Sequence, residues 1–102
     1  MKYQLVLQWP ADAIEDLRRL VAVEDALIER LSERHDVDGH DMGSGEMNIF
    51  IHTEHPTAAF AEVEKALSGH SMWGDLRAAY REESGEDYVV LWPRDLGEFG
   101  VR

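Results

Sequence analysis

The apolar residues of this chain change their spacing along its length, and the order of those changes admits few folds. In "YQLVLQW", residues 3–9, Tyr3, Leu5, Leu7 and Trp9 alternate with Gln4, Val6 and Gln8. That is the period of a half-buried strand, and Pro10 ends it. Ile14, Leu17, Leu20, Val21, Leu27, Ile28 and Leu31 then recur at helical spacing, with Glu15, Arg18, Arg19, Glu29, Arg30 and Glu33 on the remaining surface. Asp12 and Glu15 have the spacing of an N-terminal capping box, and the helix is expected to end between Ser32 and His35. Period two returns in residues 35–42 and again in "EMNIFIHT", on either side of "GSG" at 43–45, a turn signal. Pro56 suits a first helical position, and Ala59, Phe60, Val63, Ala66 and Leu67 form a second helical stripe that Gly69 closes. "LRAAYREE" and "DYVVLWP" read as two further strands around "SGE".

The resulting order, β-α-β-β-α-β-β, predicts an α+β domain. We expect a ferredoxin-like βαββαβ sandwich: an antiparallel sheet with two helices on one face and an extra C-terminal strand at an edge. It should span residues 1–93, with 94–102 a partly ordered tail. A chain of 102 residues is of ordinary size for one domain and can build one core without staples.

Composition narrows the chemistry. The chain has no cysteine, which removes disulfides, thiolate zinc sites, iron–sulfur clusters and cysteine nucleophiles. Its start lacks the long apolar run and cleavage site of a signal peptide, and no segment is long and apolar enough to span a bilayer. A cytoplasmic, soluble protein without a membrane partner is expected. The net charge of −11, from 21 acids against 10 bases, repels phosphate backbones, so nucleic acid is a poor partner and a basic protein a good one. The same charge also serves solubility.

The segment "HDVDGHDMGSGEMNIFIHT", residues 35–53, is the densest in candidate functional groups. A three-residue Gly43–Ser44–Gly45 loop would place Met42 opposite Glu46, His40 opposite Asn48, Asp38 opposite Phe50 and Asp36 opposite His52. Asp41, Gly39 and Val37 would then face Met47, Ile49 and Ile51 under the helices. Gln8, Asp36, Asp38, His40, Asn48, Phe50 and His52 would share the helix-free face of the sheet, and a one-residue slip would reverse the assignment.

Three chemistries suit such a face. Asp36 and His52 offer a carboxylate and an imidazole to zinc or manganese, aided by Asp38 or Gln8, but the ligand spacing matches no known motif. "DVDGHD" misplaces the glycine and the closing glutamate of a calcium loop. A histidine beside an aspartate can also act as a general base. Ser44, the one nucleophile at hand, sits between turn glycines that explain it without chemistry, and "GSGE" is neither a nucleophile elbow nor a phosphate loop. Phe50 and Val6 as apolar islands among amides and charges fit a transient interface. The plainest alternative is a solvated hairpin with an Asp36–His52 cross-strand pair. Elsewhere, Trp9 and Trp92 end strands and suit the edge of a core, Trp73 lies in a loop, and Glu82, Glu83, Glu86 and Asp87 make an acidic hairpin tip.

"VDGHDMGSGEMNIFIHT", followed by "HPTAAFAEVEKAL" and "AAYREESGEDYVVLWP", resembles a family of small uncharacterised bacterial proteins over most of residues 1–93. The resemblance implies a bacterial, ferredoxin-like single domain and carries no catalytic residue or cofactor. We therefore expect a non-enzymatic interaction module that uses the helix-free face for a protein partner or a homodimer. The alternatives are a small metal-dependent protein or enzyme built on Asp36 and His52, and a toxin-neutralising protein of the immunity type.

Overall fold

The structure, a computed structural model, describes residues 2–11 and 14–101. The expected capping by Asp12 lies outside the described residues, as does the side chain of Ile14, which is described by its backbone alone. The elements are β1 (Tyr3–Pro10), α1 (Ile14–Arg30), β2 (His35–Gly43), β3 (Glu46–Thr53), α2 (Pro56–Leu67), β4 (Arg77–Glu82) and β5 (Val89–Trp92). The five strands form one antiparallel sheet in the order β2-β3-β1-β4-β5. The fold is α+β.

Both helices pack on one face. Leu5, Leu7 and Trp9 of β1 join Met47, Ile49 and Ile51 of β3 in a single cluster with Leu20, Val23 and Leu27 of α1 and Ala59, Val63 and Leu67 of α2. Burying one such aliphatic side chain contributes about 1.5–3 kcal/mol. The α1 stripe runs through Leu20, Val23 and Leu27, continued by Leu31 just past the helix, rather than through Ile28, which is 57% exposed. Ile28 follows Leu27 by about 100° around the helix, enough to leave the stripe. Trp9 seals one end of the core, its Nε1–H donating to the Met72 carbonyl at 2.7 Å. Trp73 stacks between Phe60 and Trp92, with centroids at 6.1 and 5.3 Å, and so covers the foot of α2.

The other face is less open than its sequence implies. Val6 and Ala79, opposite one another on β1 and β4, are fully buried outside the main cluster. Residues of the tail reach this face: the Gly100 carbonyl accepts from Gln8 Nε2 at 2.9 Å, and Phe99 packs on Tyr88 at 5.0 Å. β1, central in the sheet, is buried on both sides.

Candidate binding surface

The turn sets the geometry of the hairpin. Ser44 and Gly45 both have positive φ, 54° and 81°, so Gly43 pairs with Glu46 across a two-residue connection. Two successive positive φ values give the primed turn whose twist matches that of the strands. The expected three-residue loop is therefore one residue too long, and the pairing beside it moves by one: Met42 faces Met47, Asp41 faces Asn48, His40 faces Ile49 and Gly39 faces Phe50. A bulge between Val37 and Gly39 absorbs the shift, and beyond it Val37 faces Ile51 and Asp36 faces His52 as expected.

This register redistributes the candidate residues. His40 leaves the outer face for the helix side, where its Nδ1 lies 3.0 Å from both carboxylate oxygens of Glu24 on α1. Asp41 takes its place beside Asn48. Gln8, Asn48 and Asp41 form a rung across three strands: Gln8 Nε2 donates to Asn48 Oδ1 at 3.1 Å and Asn48 Nδ2 to Asp41 Oδ1 at 2.9 Å. Gln8 and Asn48 are each 1% exposed. They were expected on an open surface, and the sheet and tail close over them instead. Their amides serve the fold, because buried polar groups must be paired.

What stays accessible is the end of the outer face remote from the turn. Asp36 and Asp38 are exposed, and Phe50 and His52 half-buried. His52 does not pair with Asp36. Its Nε2 lies 3.1 Å from Asp38 Oδ2, carried there by the bulge, and its Nδ1 bonds to Glu83 beyond β4. The two carboxylates approach opposite nitrogens of one ring and so do not converge on a common point, as the donors of a metal ion must. Among the described residues no group of three or more His, Asp or Glu side chains is arranged to hold a metal. Beside Phe50, a Cβ added to Gly39 would meet nothing within 4 Å, so the ring has open space on its β2 side.

A second histidine network was missed in the sequence. His35, whose side chain is fully buried, bridges Thr53 Oγ1 at 2.7 Å through Nδ1 and Glu62 Oε2 at 2.9 Å through Nε2. The carboxylate only accepts, so Nε2 carries a hydrogen; a neutral ring then accepts the Thr53 hydroxyl at Nδ1. Thr53 Oγ1 accepts the His55 N–H at 2.9 Å, and Glu62 accepts the Ser32 N–H at 2.8 Å. The Ser32 N–H holds the Glu62 carboxyl below its usual pKa, and His35 adds to this while burial opposes it. Hydroxyl, imidazole and carboxylate stand in the order of a nucleophile, base and orienter. Here, however, Thr53 is fully buried and the carboxylate is the end that meets solvent, which suits a brace between α1, β2, β3 and α2. The visible signal was only a histidine and a threonine at the ends of two expected strands.

Compared with known proteins, the chain matches no family model, no curated protein and no solved structure.

Proposed function

We propose that this chain is a non-enzymatic, cytoplasmic interaction module of ferredoxin-like architecture, which binds a basic protein partner through Asp36, Asp38, Phe50 and His52. The order β2-β3-β1-β4 supports the architectural part; β5, added beyond β4, makes the five-strand order its own. The observation that carries the functional part is Phe50, an aromatic ring with open space on its Gly39 side, beside a histidine set between two carboxylates. An apolar anchor ringed by charge is the anatomy of a transient interface. The net charge of −11 favours a basic partner and fast encounter. A toxin would be one such partner.

The test is recovery of partners from the source cells with the wild-type chain, Phe50→Asp and Gly39→Gln. A Cβ at Gly39 meets nothing within 4 Å, so Gly39→Gln adds a side chain beside the ring from an unobstructed position and blocks the surface even if Phe50→Asp perturbs the fold. A protein recovered by the wild type and lost with Gly39→Gln at unchanged melting temperature supports the reading. The same proteins recovered by all three chains refute it.

A further inference from the structure

On the helix side of the same sheet end, two cavities of about 400 and 380 Å³ share Tyr3 and Tyr80 as their common wall, the first lying against the start of α2 at Pro56, Thr57 and Ala58. The two rings stand nearly perpendicular, at 87° with centroids 5.7 Å apart. The second cavity is completed by Glu82, Glu86 and Asp87 of the β4–β5 hairpin. Aromatic faces carry negative potential and attract cations, and the carboxylates add to that field. A cation already uses it: Lys2 Nζ stands 5.5 Å from the Tyr3 centroid, and Lys2 is exposed, so its head can leave without uncovering the core. Arg81, the cation within the hairpin, donates to the carbonyls of Glu82, Glu83 and Gly85 rather than to these carboxylates. Among the described residues, Glu82, Glu86 and Asp87 have no ion-pair partner.

We propose that the groove between Tyr3, Tyr80 and the β4–β5 hairpin receives a lysine ammonium from a basic protein segment. The proposal rests on the basic partner inferred above and names the chemistry that would hold it, at a surface separate from Phe50. A lysine stem fits along the ring walls while its head meets the carboxylates.

The test is a titration of the isotope-labelled chain with a blocked Ala-Lys-Lys-Lys-Ala peptide, beside the same peptide with acetylated lysines. Saturable shifts at Tyr3, Tyr80, Glu82 and Asp87, absent with the acetylated peptide, are expected. Tyr80→Leu and Tyr3→Leu keep an apolar side chain and should each weaken binding about 2- to 5-fold, the value of one exposed ring–cation contact. Glu86→Gln with Asp87→Asn, on exposed positions, should weaken it without altering the melting temperature. Shifts confined to Asp36, Phe50 and His52 would overturn the groove and leave the proposed interaction surface standing. Equal binding of the acetylated peptide, or no loss in both leucine variants, would overturn the ammonium. If the groove binds lysine while Gly39→Gln loses no partner, the groove stands and the Phe50 surface falls.

Discussion

Replacing Thr53 by valine isolates what the buried histidine network contributes. The two side chains have nearly the same shape, and Thr53 is fully buried, so packing is kept while two polar contacts vanish. His35 Nδ1, in a fully buried side chain, loses its partner at 2.7 Å; leaving such a group unsatisfied costs about 1–3 kcal/mol. The His55 N–H loses its acceptor at 2.9 Å in a partly buried position, where water can replace only part of it, so this adds about 1 kcal/mol. The extra buried methyl returns about 0.8 kcal/mol. The net expectation is a destabilisation of about 1–3 kcal/mol. At about 4–8 °C per kcal/mol for a domain of this size, the melting temperature should fall by roughly 5–20 °C. Urea unfolding followed by circular dichroism at pH 7 measures it, with an unchanged m-value showing that the unfolded state is not the cause. In a His35→Leu background, the same Thr53→Val change should cost much less, because the stranded nitrogen is gone. A Thr53→Val protein as stable as the wild type, or equal costs in both backgrounds, would refute the brace. It would also reopen a chemical role for the threonine–histidine–glutamate order.

Two further outcomes follow from the same contacts. The folded Glu62 carboxyl lies below its ordinary value of 4.5, so its contribution to stability is complete above the unfolded value and lost as the pH falls through the folded one. Glu62→Gln should therefore flatten the acid limb of a stability-versus-pH curve below about pH 4.5, and an unaltered limb would contradict the assignment. Removing residues 94–102 takes away the Gly100 acceptor of Gln8 and the Phe99 ring on Tyr88. The cost should be about 1–3 kcal/mol, read as a lower melting temperature and faster exchange of the Gln8 side-chain amide; no change in either would mean that the tail is not part of the fold.

The repeating elements were legible because each rests on a local cause. Alternation placed β1 and β3, and Ala59, Val63 and Leu67 marked the buried stripe of α2. What was not legible depends on non-local or single-residue choices. Serine rarely adopts positive φ, so Ser44 concealed the two-residue turn. The bulge at Asp38 corrects the register beyond it and follows from no pattern in the sequence. Gln8 and Asn48 looked exposed because amides on alternating positions usually are; a tail without periodicity gave no warning that its backbone would supply an acceptor. The His35 brace draws on four segments spread from Ser32 to Glu62, a constellation that only folding assembles.

The tail and the helices together set which parts of the sheet stay accessible. α1 and α2 cover one face over the core, and the tail reaches the other at Gln8. The sheet end that carries Tyr3, Thr53 and Glu82 in register keeps accessible groups on both faces. Successive strand residues point to opposite sides, and the chain uses this where β4 runs out: Glu82 lines the tyrosine groove, while Glu83 bonds to His52 on the outer face. Two adjacent acids thus belong to two surfaces that share one rim. Phe50 and Tyr80 supply the apolar area that such charges lack, and apolar area rather than charge sets most of the lifetime of a complex. A basic segment that wraps this rim would meet carboxylates on approach and an aromatic ring on either side once seated.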